Sequence, residues 1–250
     1  MKNHLYALAA LSLAVAATGC ATAGQHDAPA IDNSARPAAD VKRDAVRQPA
    51  EMMKFAKIGA GQTVVDMLPG GGYFTRVFSQ AVGPEGKVVA LVSEQYAKRF
   101  PKMGKAIKDL AAEPAYSNVE AAIRFLGNVG APNSVDRVWT AQNYHDLKSS
   151  KLPAGTAAAI NSAVFAALKP GGYYVILDHS AEAGSGARDV DTLHRIDAEA
   201  LKAEVVAAGF VFDGESKLLA NAADDRSVIV FNPAVRGKTD QFVFRFKKPE

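Results

Sequence analysis

Three consecutive glycines follow a short apolar stretch near the end of the first third of the chain. The segment reads Val-Val-Asp-Met-Leu-Pro-Gly-Gly-Gly-Tyr-Phe-Thr-Arg over residues 64–76. The apolar stretch is typical of a buried strand, and the residues after the glycines are typical of a helix. Because glycine has no Cβ and adopts positive φ cheaply, the backbone at Gly70, Gly71 and Gly72 can approach a ligand closely. This order predicts a nucleotide-type site at the carboxyl end of the first strand of an open α/β sheet.

Strands and helices alternate along the rest of the chain. This alternation predicts a parallel sheet that is covered by helices on both faces. A leading helix over 40–57 is expected to be interrupted near Pro49. The predicted strands are 63–68, 87–92, 120–126, 136–141, 173–178, 210–219 and 242–246, and the predicted helices after the leading one are 73–80, 95–112, 155–168 and 191–208.

The composition excludes several classes of protein. The chain has 250 residues, enough for one α/β domain with a tail. Its net charge of +3, from 29 basic and 26 acidic residues, is too small and too scattered to predict a nucleic-acid partner. The single cysteine excludes an internal disulfide and a thiolate metal cluster.

The first twenty residues resemble a bacterial export signal. Lys2 precedes an apolar run over 5–17, which is shorter than the roughly 20 residues of a membrane-spanning helix. The stretch Ala17-Thr18-Gly19-Cys20 resembles a lipobox, in which the cysteine is lipidated. An ordinary cleaved signal that leaves a free thiol is the alternative. We therefore predict a signal peptide over 1–19, a lipidated Cys20 with a flexible tether over 20–38, and a domain over 39–250, anchored by its lipid on the periplasmic side of the bacterial cell envelope.

Several landmarks in the domain resemble the class I S-adenosylmethionine-dependent methyltransferases. They are the glycine turn, the Gly83-Pro84-Glu85-Gly86 turn, Leu168-Lys169-Pro170-Gly171-Gly172 and the final pair of strands. A bacterial subgroup of predicted methyltransferases is similar in further motifs: Asn143-Tyr144-His145-Asp146, Asp178-His179, Leu193-His194-Arg195-Ile196-Asp197 and a terminal Phe-Lys-Lys-Pro. The resemblance implies a Rossmann-like, doubly wound seven-stranded sheet, mostly parallel with an antiparallel last strand. It also implies S-adenosyl-L-methionine as cofactor and a small-molecule acceptor.

The resemblance places the cofactor at the carboxyl ends of the first two strands. Leu68 stands where the family usually has its first glycine, and Val92 stands where it usually has an acidic residue for the ribose hydroxyls. Glu94, two residues later, is the expected substitute. In the family, an acidic residue after the third strand often contacts the adenine. No such residue is evident around 125–127. The predicted cofactor-binding residues are Asp66, Gly70, Gly71, Gly72, Tyr73 and Glu94.

Polar clusters follow the fourth and fifth strands, where ligands of an open α/β sheet lie. In the family, the loop after the fourth strand faces the transferable methyl group. His145 is therefore the predicted general base, with Tyr144 and Asp146 beside it as predicted catalytic residues. The alternative is that His145 and Asp146 only cap a loop and a helix. The predicted substrate-binding residues are Asp178, His179, His194 and Arg195, although His194 and Asp197 would also suit a structural hydrogen bond along a helix.

Two alternatives remain open at this point. Asp178, His179, His145 and Asp146 are acceptable ligands for a divalent cation, but no tight metal-binding spacing is present, so the sequence predicts no metal. A non-catalytic envelope lipoprotein that uses the fold as a binding module is the alternative to an enzyme. An exported location favours it, because S-adenosylmethionine is made in the cytosol.

Overall fold

The computed structural model of the protein describes residues 34–250. The predicted signal peptide and Cys20 lie outside the described residues. Among the described residues, no helix is both long enough and apolar enough to cross a membrane.

The centre of the domain is a seven-stranded sheet with the order β3-β2-β1-β4-β5-β7-β6. The first five strands are parallel, and β7 runs antiparallel to both β5 and β6. The predicted fold class is therefore confirmed. The strands are β1 Thr63–Met67, β2 Lys87–Ser93, β3 Val119–Arg124, β4 Val135–Ala141, β5 Leu168–His179, β6 Val211–Ser216 and β7 Gln241–Lys247.

Helices cover both faces of the sheet. They are α1 Ala38–Val41, α2 Asp44–Arg47, α3 Pro49–Ala56, α4 Tyr73–Val82, α5 Glu94–Arg99, α6 Pro101–Ala112, α7 Thr156–Ala167, α8 Val190–Leu193 and α9 Ala198–Ala207. Successive residues of a strand point to opposite faces, so Val64 packs in the core under α3, α4 and α6. Val65 packs in the core under α7 and α9.

The leading segment is broken as predicted, but into three short helices. Gln48 ends α2 and begins α3 in the left-handed conformation, at φ 48°, immediately before Pro49. The segment packs on the domain earlier than the sequence predicts, because Arg36, inside the predicted tether, is buried and paired with Asp44 at 2.6 Å.

The predicted helix over 191–208 is wrong in its first half. The chain leaves α8 at His194, which has a left-handed φ of 54°, and α9 begins only at Ala198. Between them, Ile196 forms a parallel bridge with Ser180 just beyond β5. The amide of Ile196 donates to the His179 carbonyl at 3.0 Å, and its carbonyl accepts from Ala181 at 2.9 Å. These main-chain bonds replace the helical ones.

The largest differences in strand boundaries from the prediction are at the start of β5 and the end of β6. β5 begins at Leu168 rather than residue 173, because Gly171 and Gly172 exchange main-chain hydrogen bonds with Lys248. β6 ends at Ser216 rather than residue 219. Residues 217–240 then form a long connection without helix or strand, which leads to β7.

Candidate functional site

The turn after β1 has the backbone conformation of a glycine-rich ligand loop. Leu68, Gly70 and Gly72 have φ values of 58°, 59° and 82°. Leu68 therefore keeps the left-handed conformation that glycine would adopt easily, at a cost of about 1–2 kcal/mol. Its carbonyl accepts a hydrogen bond of 2.9 Å from the Asn143 side chain, which ties the turn to the loop after β4.

The three glycines face different surroundings. A Cβ at Gly72 would lie 2.5 Å from Leu110 Cδ1, so the absence of a side chain here makes room for α6. A contact between the Gly72 backbone and a ligand stays a prediction. A Cβ at Gly71 would meet nothing within 4 Å, and one at Gly70 would meet only Met103, at 3.7 Å. The space above Gly71 is open.

Asp66 lies beneath the turn and holds the start of α4. Its carboxylate accepts a hydrogen bond of 2.6 Å from the Thr75 hydroxyl and is buried. Burial raises the pKa of Asp66 to about 7, although the bond from Thr75 opposes this shift. Asp66 therefore supports the turn from below.

The Tyr73 side chain is not available to a ligand, so a contact between Tyr73 and a cofactor through its main-chain amide stays a prediction. It is buried, and its hydroxyl donates to Asp44 Oδ1 at 2.7 Å. The guanidinium of Arg47 lies 4.8 Å from the centre of its ring. Burial and the bond to Asp44 raise the pKa of Tyr73 well above its usual value. The side chain fastens the leading segment to α4.

Glu94 begins α5 directly after β2, and it is exposed at the carboxyl edge of the sheet. Ser93 caps the helix by accepting a bond of 3.0 Å from the Tyr96 amide. Val92 is buried and, as an apolar residue, offers no carboxylate at this edge. A contact between Glu94 and a ribose stays a prediction.

A chain of hydrogen-bonded side chains runs from the end of β5 to the surface. His145 Nδ1 lies 2.8 Å from Asp178 Oδ1, and its Nε2 lies 3.1 Å from His194 Nδ1. Asp178 also accepts bonds of 2.8 Å from the amides of His145 and His179. Asp146 Oδ1 lies 3.4 Å from His145 Nε2. The structure thus brings together four predicted site residues, namely His145, Asp146, Asp178 and His194.

The side chains of Asp178, His145 and His194 form what we call the histidine chain. Their protonation states follow from their burial and from the charges beside them. Burial alone would lower the pKa of His145, but the adjacent Asp178 carboxylate outweighs it and raises the pKa above the usual histidine value. Burial would raise the pKa of Asp178, but His145 lowers it below the usual range. Burial and the neighbouring His145 lower the pKa of His194. His145 is 3% exposed and His194 is the member that reaches solvent. This changes the expected arrangement, in which His145 itself would face the acceptor.

Tyr144 does not reach the open site, which corrects its predicted catalytic role. It is fully buried between α7 and α9. Its hydroxyl donates to Glu204 at 2.8 Å and accepts from Asn161 at 2.7 Å. Burial raises its pKa far above the usual value. The side chain is a core residue with satisfied hydrogen bonds.

Arg195 is also a structural residue, which corrects the prediction that it binds substrate. It is fully buried and forms two bonds to Asp224, of 2.8 and 3.1 Å. It also donates to the carbonyl oxygens of Ser180 and Val228 at 3.1 Å. Arg195 thereby fixes the 217–240 connection over the carboxyl edge of the sheet.

A cavity of about 490 Å³ opens at the carboxyl edge of the sheet, with His179 in its wall. Sequence reasoning missed most of its residues, in particular those of the 217–240 connection, which has neither a helical nor a strand pattern. Its lining among the described residues contains three arginines and no carboxylate. The lining residues are Arg43, Val46, Arg47, Phe74, Ala141, Gln142, Leu177, His179, Leu219, Val230, Phe231, Arg236, Gly237 and Gln241. Another cavity, of about 360 Å³, lies near Gly86 and Asn118 at the opposite edge of the sheet, away from these groups.

His179 lines the cavity and is held by a bond of 2.8 Å between its Nδ1 and the Thr239 hydroxyl. Burial lowers its pKa to about 4, so it is neutral at pH 7. Between pH 6.5 and 4 the unfolded chain binds a proton at this residue that the folded chain does not bind, so stability falls as the pH falls.

We expect His179→Asn to remove this part of the acid sensitivity. The asparagine amide can occupy the position of Nδ1 beside Thr239 but does not titrate. Between pH 6.5 and pH 5, the free energy of unfolding should fall by about 1–2 kcal/mol more in wild type than in the variant. Urea unfolding at both pH values measures the difference, and equal losses in the two proteins would contradict the assignment.

Comparison with known proteins shows the fold but not the reaction. No protein-family model matches the sequence, and no curated protein matches it. Among solved structures, an S-adenosylmethionine-dependent methyltransferase from Aquifex aeolicus has a TM-score of 0.60 and 18% identity, over 83% of this chain and 93% of that one. The [4+2]-cyclase SpnF has a TM-score of 0.59 and 14% identity, over 82% of each chain. A possible exported protein from Bordetella parapertussis has a TM-score of 0.52 and 12% identity, over 84% and 68%. The chain has the class I methyltransferase fold, which also occurs in a protein named for another reaction.

Proposed function

We propose that this chain is an S-adenosylmethionine-dependent methyltransferase that acts on a small anionic molecule. The observation that carries the proposal is the turn from Leu68 to Gly72. It keeps three left-handed residues, including a leucine at a strained position, under open space at Gly71. Backbone strain of this kind persists where a ligand site needs it. The shared fold supports the same choice of cofactor.

The chain's own residues would hold the cofactor along the ends of β1 and β2. Gly70 and Gly71 allow close approach of the amino-acid part of the cofactor, and the first amides of α4 point toward the same space. Glu94 is exposed at the end of β2, where a carboxylate can accept hydrogen bonds from ribose hydroxyls. The bound cofactor would supply an electrophilic methyl group.

The cavity supports a small acceptor with a negative charge and an apolar part. Arg43, Arg47 and Arg236 contribute positive charge to its walls, and Phe74 and Phe231 contribute apolar surface. Arginine binds carboxylates and phosphates through planar pairs of hydrogen bonds. A volume of about 490 Å³ is in the range of small-molecule sites.

The histidine chain would take the proton that an acceptor hydroxyl or amine loses on methylation. His194 reaches solvent and would touch the acceptor, while His145 and Asp178 behind it would accept and stabilise positive charge. Most of the rate would come from alignment of the acceptor with the methyl group. A general base adds typically about 10²–10⁴-fold.

Product formation tests this function. The purified protein is incubated with S-adenosylmethionine labelled in its methyl group and with small carboxylate or phosphate acceptors that carry a hydroxyl or amine. Mass spectrometry should detect S-adenosylhomocysteine and a labelled product, with acceptors lacking the acidic group as controls. Cofactor binding without product for every acceptor would favour the non-catalytic binding module instead.

We also propose that the protein is exported and held by a lipid at Cys20. The lipobox-like sequence supports this, and a structurally similar protein is named as a possible exported protein. Cys20→Ser is expected to shift the protein from the membrane fraction to the soluble fraction or to leave the precursor uncut. Fractionation and radiolabelled palmitate incorporation measure both effects. A variant that fractionates and labels like wild type would contradict the anchor.

A further inference from the structure

Three potential metal ligands converge at the outer end of the histidine chain. His145 Nε2, His194 Nδ1 and Asp146 Oδ1 are separated by 3.1, 3.4 and 3.7 Å. His145 and Asp146 follow β4, whereas His194 comes from the break between α8 and α9. Among the described residues, these three form the cluster of histidine and acidic groups in which every ligand atom lies within 4.8 Å of the others.

The separations, from 3.1 to 3.7 Å, lie on both sides of the spacing of ligands around a metal ion. Bonds of about 2.0–2.2 Å at tetrahedral angles place neighbouring ligand atoms about 3.3–3.6 Å apart. The two separations that involve Asp146, 3.4 and 3.7 Å, are longer than an ordinary hydrogen bond between these groups. An ion placed between the three atoms would therefore need little rearrangement of the side chains.

Asp178 prepares His145 for this role. Its carboxylate accepts a hydrogen bond from the Nδ1–H group of His145. The free lone pair of neutral His145 is therefore on Nε2, which faces the other two ligands. Asp178 is itself held by two main-chain amides. A buried carboxylate behind a histidine is the usual outer partner of a metal-binding imidazole.

His194 is held toward the cluster by an unusual backbone. Its left-handed φ of 54° is uncommon for a residue with a side chain, and such strain persists where a site requires it. The Leu193 carbonyl before it accepts from Val230, and the buried Arg195 follows it. The ring also packs against Phe231, 4.9 Å away, which lines the cavity.

We propose that His145, His194 and Asp146 bind a divalent transition-metal ion, with Zn²⁺ as the best fit. Two imidazoles and one carboxylate suit Zn²⁺ and related first-row ions better than Mg²⁺. The side chains of His194 and Asp146 are 31% and 47% exposed, so an ion can enter and a fourth position faces solvent. Three protein ligands with an open position are typical of catalytic rather than structural zinc sites. A bound ion would occupy His145 Nε2 and His194 Nδ1, so the proton transfer proposed above for these histidines belongs to the metal-free protein. The ligand set differs from the one considered from the sequence, because His179 is bonded to Thr239 instead.

Metal titration of the purified, untagged chain tests this site without any assay of methyl transfer. Calorimetry should show binding of one Zn²⁺, and Co²⁺ should give the visible absorption of a four-coordinate site, whereas Mg²⁺ should give neither. His194→Gln and Asp146→Asn should weaken Zn²⁺ binding more than about a hundredfold, and Asp178→Asn by roughly 10–100-fold, as expected for an outer partner.

His179→Asn is the matched control, because it removes a nearby histidine outside the cluster and should leave Zn²⁺ affinity unchanged. Circular dichroism and thermal unfolding establish that each variant is folded. Absence of Zn²⁺ binding to wild type would overturn the proposal. Retention of affinity in folded His194→Gln and Asp146→Asn, or an equal loss in His179→Asn, would overturn it as well.

Discussion

Replacing Arg195 with leucine is expected to lower the free energy of unfolding by about 3–5 kcal/mol, the usual cost of breaking a buried ion pair. The side chains of Arg195 and Asp224 are 0% and 1% exposed and make two direct bonds. Loss of the guanidinium leaves the Asp224 carboxylate buried without its cation and releases the bonds to Ser180 and Val228. Urea unfolding monitored by circular dichroism measures the change.

The double variant Arg195→Leu/Asp224→Leu distinguishes the loss of the ion pair from the cost of leaving one charge buried without a partner. It should be less destabilised than the sum of the two single variants, because neither charge is left alone. The single Arg195→Leu variant should also weaken ligand binding in the cavity, since the 217–240 connection supplies Phe231 and Arg236 to its wall. A loss below about 1 kcal/mol in Arg195→Leu would contradict the structural role.

His145→Ala is expected to lower turnover at least about a hundredfold, with little change in the affinity for S-adenosylmethionine. His145 is the central member of the chain between Asp178 and His194, so its loss disconnects the exposed group from the buried carboxylate. Initial rates with an acceptor found by product screening, together with cofactor titration, measure both quantities.

His145→Asn is the control that distinguishes a loss of turnover from a loss of folding. Its amide can donate to Asp178 as Nδ1 does, but it lacks the group that reaches His194. It should fold like wild type and still lose turnover. Wild-type rates in both variants would make the cluster structural, and a loss confined to His179→Asn would move the catalytic role to His179. Recovery of rate on adding Zn²⁺ to chelated wild type, but not to His145→Asn, would assign the loss to the metal site.

The sequence predicts the sheet well because its signals are local. Val64 and Val65 show the apolar content of a buried strand, and the glycines after β1 indicate the turn directly. The break at His194 could not be predicted, because it depends on the bridge between Ile196 and the residue after β5. A helical pattern over 191–208 is consistent with both outcomes until that long-range contact is known.

The candidate site was predicted in part, and the errors share one cause. Asp178, His145 and Asp146 meet because the carboxyl ends of β4 and β5 are neighbours, which topology predicts. His194 joins them from the break between α8 and α9, which the sequence does not predict. Tyr144 and Arg195 have side chains that suit catalysis or binding. Both are buried, however, and form hydrogen bonds to residues distant in sequence. Burial of a polar side chain depends on its tertiary partners, and the sequence gives no local sign of Glu204 or Asp224 in that role.

Titration of the purified protein with S-adenosylmethionine, alongside Gly71→Val, tests the central claim most directly. A side chain at Gly71 would extend into open space, where nothing of the protein lies within 4 Å of its Cβ, so the variant should fold normally. Gly72→Val is unsuitable because it would collide with Leu110. We predict measurable binding to wild type by calorimetry and none to folded Gly71→Val. Equal affinity in the two proteins, or no binding to wild type, would contradict a cofactor site at this turn.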